Sequence, residues 1–449
     1  MIENESCPLV KLECINGKYY CYDTNTNMIL QITKELYQEL IIMQNEGITK
    51  YEASLNVNES KKTILLLRKK GFFQGNKIAG INHPLTNYIE VLLHRAVNQL
   101  VLEVSEACNF RCRYCHQHSN DKFKSTLMKY ETARKGVDFL FENSKDETSV
   151  SITFYGGEPL INFETIRKTV EYVSEKFEIK DVDYNMTTNA SLLNDEIIDF
   201  LIKNNFSLLI SLDGDRCIQN YHRKFSKDGS DTFDVVWKNV CKIKEKNKTY
   251  FQQRVRFNAV LLPDDTPDDT YNFFTDNDIP LNRVNVTIAD MTAIDYECNG
   301  AFYPLDCADE REETKEFDDF KNKLSSKANI PAEWHHNGPC VPGVRKLFIG
   351  TDGTFFPCEK LDKASEASIG SLENGFNVEQ VKKIMNVGRL SEDECKDCWA
   401  MRFCSLCVKQ CITDNKICKE TKLLFCGKER ERIESFLRKY IETEANLNG

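Results

Sequence analysis

Three cysteines, Cys108, Cys112 and Cys115, stand at a C-x3-C-x2-C spacing just after the alternating apolar residues Leu100, Leu102 and Val104. Three thiolates on one short loop are the donor set of a metal centre. A structural zinc site is closed by four ligands, usually from two close Cys pairs. A cubane iron–sulfur cluster is held by cysteines, and three of them leave one iron open to another ligand. A second series runs through Cys340, Cys358, Cys395, Cys398, Cys404, Cys407, Cys411, Cys418 and Cys426, with the tight core Cys395-x2-Cys398-x5-Cys404-x2-Cys407-x3-Cys411. Cys395-x2-Cys398 fits zinc as well as iron. Cys7, Cys14, Cys21, Cys217 and Cys241 are scattered and read as ordinary small core or surface residues.

Composition narrows the setting. A chain of 449 residues, 41% hydrophobic, has material for two or three domains with buried cores. A formal net charge of −10 argues against a nucleic-acid partner, because phosphate binding rests on Lys and Arg. The start, MIENESCPLVKLE, lacks the basic and apolar stretches of a secretory signal, and no run is long enough to span a bilayer. The expectation is a cytoplasmic protein without a membrane partner, where 19 cysteines are not a disulfide framework.

The elements that must position these cysteines follow from periodicity. Residues 9–32 read as three strands, the first two joined by the hairpin pair Asn16-Gly17. Thr33 is placed to cap a helix with apolar positions Leu36, Leu40 and Ile41, and two more short helical patterns follow, the second ending at Gly71. Residues 1–75 thus predict a winged-helix-like module. A linker, 76–98, contains the breakers Gly80 and Pro84. From Gln99 to Asp290 six apolar strands alternate with helical patterns near 130–142, 162–176, 193–203, 232–246 and 267–276, which predicts an α/β fold with a parallel sheet curled as a partial (β/α)6 TIM barrel. Residues 291–339 form a bridging region in which His335 and His336 read as packed or solvated loop residues. Residues 340–449 form a Cys-rich domain, with a hairpin through Gly353, Phe355 and Phe356 delivering Cys358 and an amphipathic helix from Gly427 onward.

Chemistry in such a sheet lies at the carboxyl ends of the strands, and each remaining motif falls at one. Gly156-Gly157-Glu158-Pro159 follows VSITFY. Thr187-Thr188-Asn189 follows VDYNM. Ser211-x-Asp213-Gly214 ends the next strand, with His222-Arg223 beyond it, and Ile288-Ala289-Asp290 ends the last. The cysteine loop, with Tyr114 before its third cysteine, and the GGEP turn one β/α unit later resemble the radical S-adenosylmethionine enzymes. The Cys-rich end resembles the auxiliary-cluster extension called SPASM, and the first module looks like the leader-recognition element of ribosomal-peptide maturases.

The resemblance implies S-adenosylmethionine and three [4Fe-4S] clusters. Cys108, Cys112 and Cys115 would hold the catalytic cluster. Tyr114, Gly156, Gly157, Glu158, Asn189, Ser211 and Arg223 would line the S-adenosylmethionine site, with Glu158 receiving the methionyl ammonium, Arg223 pairing with the methionyl carboxylate and Ile288 packing on adenine. Cys340, Cys358 and Cys407 would hold one auxiliary cluster, with Cys298 or Cys307 as a possible fourth ligand. Cys395, Cys398, Cys404 and Cys426 would hold the other; Cys411 in place of Cys407 and Cys418 in place of Cys426 stay open.

The implied activity is thioether crosslinking, Cys sulfur to carbon, in a precursor peptide that bears a leader and Cys residues. Electrons would come from a flavodoxin- or ferredoxin-type donor. The alternatives are a carbon–carbon crosslink, formylglycine formation on a sulfatase, and a non-enzymatic iron–sulfur sensor with a winged-helix reader. An ammonium-binding turn has no use in a sensor.

Overall fold

The computed structural model describes residues 7–55, 57–115, 125–177, 181–262, 265–289, 310–326, 332–335, 340–361, 363 and 366–447. Asp290, Cys298, Cys307 and His336 lie outside them. The chain opens with an antiparallel sheet of β1 (Val10–Ile15), β2 (Lys18–Asp23) and β3 (Met28–Ile32), in that order. Asn16 and Gly17 both take positive φ, 51° and 75°, as a two-residue hairpin turn requires. Three helices follow: α1 (Lys34–Glu46), α2 (Ile48–Ala53) and α3 (Glu59–Lys69). The Thr33 hydroxyl accepts the Leu36 N–H at 3.2 Å, the cap read from sequence.

Alternation in β2 divides the two sheet faces. Cys21 packs with Leu36, Leu40, Met43, Tyr51 and Ile64 of the helices. Tyr20 and Tyr22 point the other way, into a cluster with Phe317, Phe320, Phe403 and Phe436 from the far end of the chain. One expectation fails here: Ile41 is 38% exposed, and Met43, one helical turn on from Leu40, takes the core position. Leu36, Leu40 and Met43 share a face at spacings of four and three, from which Ile41 is turned away.

The segment after the first module is packed into the body rather than strung between domains. In it β4 (Gly80–Ile81) pairs with a strand at 333–334, and α4 (Ile89–Arg95) buries Ile89 and Leu93 in the main core. Then come β5 (Gln99–Ser105), β6 (Phe110–Cys112), α5 (Tyr130–Glu142), β7 (Ser149–Gly156), α6 (Phe163–Lys176), β8 (Asp181–Thr188), α7 (Asp195–Lys203) and β9 (Ser207–Ser211). Next are α8 (Arg216–His222), β10 (Arg223–Phe225), α9 (Phe233–Lys246), α10 (Lys248–Arg254), β11 (Val255–Leu261), α11 (Pro267–Asp276) and β12 (Val284–Ile288). The six parallel strands and five crossover helices expected from periodicity are present. The short pair β6 and β10 and the helices α8 and α10 are additions too brief to carry a period.

The C-terminal third contains α12 (Glu310–Ser325), β13 (Glu333–Trp334), β14 (Leu347–Ile349), β15 (Thr354–Phe356), β16 (Gly370–Ser371), β17 (Gly375–Phe376), α13 (Val378–Met385), α14 (Glu392–Lys396), β18 (Ile412–Thr413), β19 (Lys416–Ile417) and α15 (Lys419–Leu447). The main sheet runs β12-β11-β9-β8-β7-β5-β14-β15-β16-β17, parallel as far as β14 and antiparallel from there, so the hairpin before Cys358 continues the core sheet. The last helix begins at Lys419, eight residues before the expected Gly427. A single glycine costs a helix only about 1 kcal/mol, and this helix runs through it.

Leu100, Leu102 and Val104 face the helices, as do Ile152, Phe154, Leu208, Ile210, Phe257 and Ala259. The alternate positions make a polar face: Asn185 donates to Ser151 at 2.7 Å, Asn285 to Asn258 at 2.8 Å and Gln99 to Thr153 at 3.1 Å. Among the described residues no helix is long and apolar enough to cross a membrane.

The buried and exposed neighbours on α1 give a direct check. Leu40→Ala removes a fully buried side chain and is expected to destabilise the protein by about 2–5 kcal/mol. Ile41→Ala should stay within about 0.5 kcal/mol. Urea unfolding followed by the loss of helical circular dichroism measures both, and equal effects would contradict the packing.

Candidate metal and cofactor site

β5 ends at Ser105 and releases the chain into the cysteine loop, which lies directly against the turn after β7. A Cβ on Gly156 would stand 2.0 Å from the Ser105 carbonyl oxygen, and one on Gly157 would stand 2.6 Å from that of Ala107. Only glycine permits this approach. In return Gly157 N–H donates to Ser105 at 2.8 Å and Glu158 N–H to Ala107 at 2.9 Å, so backbone bonds bind the loop to the turn.

The Glu158 side chain is fully buried and bound within the protein. It accepts from Leu160 N–H at 3.1 Å, the Thr188 hydroxyl at 2.7 Å and Asn189 N–H at 2.7 Å. Burial pushes its carboxyl up to about 7 against the pull of these donors. Expected as an ammonium receptor, Glu158 instead fastens β7 to β8. Asn189 continues the connection: its Nδ2 donates to Asn109 Oδ1 at 2.9 Å, and Asn109 Nδ2 donates to Ser191 at 2.8 Å. Asn109 sits beside Cys108, and sequence reading passed over it.

On the other flank, β6 pairs antiparallel with β10, which sets Cys112 opposite Arg223. Arg223 forms a two-pronged pair with Asp213, Nε to Oδ2 at 2.8 Å and Nη2 to Oδ1 at 2.9 Å, while Nη1 lies 3.9 Å from Cys112 Sγ. Asp213 thus engages two of the guanidinium nitrogens that the resemblance assigned to the methionyl carboxylate. Asp213 also accepts from the Tyr114 hydroxyl at 2.6 Å and Val260 N–H at 2.8 Å. Burial opposes its charge, but Arg223 and the hydrogen bonds from His222, Arg223 and Tyr114 hold the carboxyl well below its usual range. His222, read from sequence as a loop residue, is the buried last residue of α8 and lies between Asp213 and Asp265, at 3.2 and 2.8 Å. Ser211 ends β9 partly exposed, in register with Asn258.

Burial pushes the Cys108 and Cys112 thiols up to about 12. Thiolates there need a positive partner such as a metal centre. Tyr155, on the polar face of β7 and in register with Glu103, has its phenol raised by burial first and then by Glu359, Cys115, Glu103 and Cys358 around it. It joins the first cysteine loop to the auxiliary region. So does Lys363, which bridges Glu103 and Glu106 just upstream of Cys108.

The remaining cysteines form two groups. Cys395, Cys398, Cys404 and Cys426 line one recess, together with Trp334, Met401 and Lys422. Cys426 arrives there on α15, whereas the Cys418 Sγ is 2.9 Å from the Thr421 hydroxyl. Burial raises the Cys340 and Cys358 thiols, Cys358 to about 11, with neighbouring Cys407 a lesser cause for both, and Cys411 is fully buried with its Sγ against the Cys407 carbonyl at 3.4 Å. Among the described residues no three His, Cys, Asp or Glu side chains close on a point that one metal ion could occupy. Four cysteines around one recess are a donor set that a four-iron cluster, at one cysteine per iron, would use. His335 packs beside His83, with ring centres 4.3 Å apart and the rings tilted by 49°, as a packed loop residue.

Two substitutions probe the loop and turn. Gly157→Ala forces the Ala107 backbone away and is expected to lower iron content after anaerobic reconstitution; unchanged iron would refute the close approach. Glu158→Gln places an amide N–H where a donor already points, and should cost about 1–3 kcal/mol. Because the folded carboxyl sits at about 7 against an ordinary 4.5, its contribution to stability is fully present below pH 4.5 and is lost as pH rises through 7. Wild-type stability relative to the glutamine variant, measured by urea unfolding, should fall across that window.

Residues 102–276 match the Radical SAM superfamily. The radical SAM cyclopropyl synthase TigE of Paramaledivibacter caminithermalis is 25% identical over 339 residues, 70% of this chain and 68% of its own. The cysteine-type anaerobic sulfatase-maturating enzyme of Clostridium novyi is 25% identical over 375 residues, 74% of this chain and 95% of its own. Native anSMEcpe with bound AdoMet shares the fold, with a TM-score of 0.55 at 18% identity over 78% of this chain and 99% of that one. The superfamily match covers the cysteine loop, the glycine–glutamate turn and the Asp213–Arg223 pair, so it is residues 102–276 that match the Radical SAM superfamily, in a chain similar to a sulfatase-maturating enzyme and a cyclopropyl synthase.

Proposed function

We propose that this enzyme modifies a ribosomally made precursor peptide by joining a Cys sulfur to a carbon. Cys108, Cys112 and Cys115 hold the catalytic cluster, which with S-adenosylmethionine supplies a 5′-deoxyadenosyl radical. The loop and turn backbone at Gly156 and Gly157 brackets the cofactor, with Glu158 and Asn189 holding the strand ends in place. The sheet curls as a partial barrel whose polar face receives the peptide. Cys395, Cys398, Cys404 and Cys426 hold an auxiliary cluster, and Cys340, Cys358 and Cys407 hold another.

The observation that carries the reading is the first auxiliary group. Its three described cysteines leave one iron of a four-iron cluster for a fourth ligand, which a substrate thiolate supplies. Joining sulfur to carbon removes a hydrogen atom, taken by the adenosyl radical, a proton, and an electron, taken by an auxiliary cluster. The N-terminal module supports a peptide substrate. Its β3 pairs with β2 on one side and has no strand on its other edge among the described residues, and Met28, Ile41 and Ile42 of the module are exposed. A leader added as a fourth strand uses that edge.

A second reading, a carbon–carbon bond in the peptide, is favoured by the similarity to a cyclopropyl synthase. One assay separates the two. The reconstituted enzyme is given reductant, S-adenosylmethionine and a leader-bearing peptide with one Cys, and the product is treated with iodoacetamide before mass spectrometry. Thioether formation predicts 5′-deoxyadenosine, a peptide lighter by two hydrogens and no alkylation. The same mass loss with full alkylation would replace it with the carbon–carbon reading. Cys307→Ala should keep all its iron, and loss of the first auxiliary cluster would sink the open-iron proposal.

A further inference from the structure

The recess of Cys395, Cys398, Cys404 and Cys426 contains a cation that the proposed chemistry has not used. Lys422 is fully buried on α15, one turn before Cys426. Its Nζ lies 3.2 Å from Cys395 Sγ and also donates to the Ser391 hydroxyl, which is itself fully buried and 3.4 Å from the same sulfur. An ammonium is expensive to take out of water unless an anion compensates it. Among the described residues no carboxylate forms an ion pair with Lys422. The two glutamates lining the recess are engaged elsewhere, Glu394 with Lys419 at 2.6 Å and Glu429 with Arg432 at 2.9 Å. Arg430, the other cation of the lining, acts on Cys398 and Cys426.

The first auxiliary group has no buried cation among the described residues: its neighbours are Lys346, partly exposed and paired with Glu359 at 3.1 Å, and the exposed Arg345. Hydrogen bonds to sulfur and the net charge around a cluster set its potential. A buried positive charge favours the reduced state, which carries one more negative charge.

We propose that Lys422 is a positioning residue that makes the Cys395, Cys398, Cys404 and Cys426 site the more easily reduced of the two auxiliary sites, so that the electron released on bond formation comes to rest there. This rests on the cluster reading given above. One electron enters from the substrate side, and no bond is made or broken at the site.

The test uses the full chain, reconstituted anaerobically with iron and sulfide and titrated potentiometrically under electron paramagnetic resonance. The signal lost in Cys395→Ala identifies the site, and a wild-type chain whose iron and signals are untouched by that substitution would remove the cluster reading itself. Lys422→Met keeps the length and deletes the charge. With full iron loading its midpoint is expected to move negative by at least tenfold in the reduction equilibrium, about 59 mV for one electron. Full loading with an unchanged midpoint overturns the proposal. If Lys422→Met loads no cluster at this site, Lys422→Gln, which retains a donor, decides by the same shift. Failure of both variants to load makes Lys422 a folding element and overturns the tuning role.

Discussion

The close approach of two backbones, the cysteine loop and the glycine turn, is the constraint on which the rest of the site depends. Ser105 and Ala107 offer carbonyls to Gly157 and Glu158 only because neither glycine has a side chain to hold them apart. Once the turn is seated, the Glu158 carboxylate is sealed from water, and it holds the backbone of the next strand end by accepting from Thr188 and Asn189. A lone buried carboxylate would be costly; three donors offset that cost and convert it into a fixed geometry. The loop, the turn and the following strand end therefore move as one piece.

The opposite flank uses a different device. There the charge stays ionised, because Arg223 meets Asp213 with both prongs and Tyr114 and His222 add hydrogen bonds. A neutralised pair beside Cys112 fixes the loop without adding net charge to it. Lys422, facing Cys395 with no carboxylate of its own among the described residues, does the reverse. The same two kinds of atom, a cationic nitrogen and a cysteine sulfur, thus stand in two electrically distinct settings.

Much of this was readable from periodicity. Strands with a two-residue period and helices with a 3.6-residue one were placed along the core, and the cysteine, GGEP and TTN motifs indeed fall at strand ends. What periodicity cannot carry is partnership. Glu158 and Arg223 were expected to face a ligand by residue type, yet their partners lie 31 and 10 residues away within the protein. Ile41 and Met43 are both apolar, and only the packing of α1 on the sheet shows that Met43 shares the buried face of Leu36 and Leu40. Spacing left Cys411 open as a replacement for Cys407 and Cys418 as one for Cys426. In the fold Cys411 is fully buried, and Cys426 lines the recess from α15. Tyr155, Asn109 and Lys422 had no motif to announce them.

The outer face of the N-terminal sheet is not free. Tyr20 and Tyr22 pack against Phe317, Phe320, Phe403 and Phe436, Asn27 donates to the end of α12, and Arg402 donates to the Thr24 carbonyl at 2.6 Å. The module is thereby bolted to the auxiliary region instead of swinging on its connection. A peptide anchored at the β3 edge would start from a fixed point, and the number of residues between that anchor and the radical would act as a measuring rod. Selection of the reacting position would then be a matter of counted chain length as much as of local side-chain recognition.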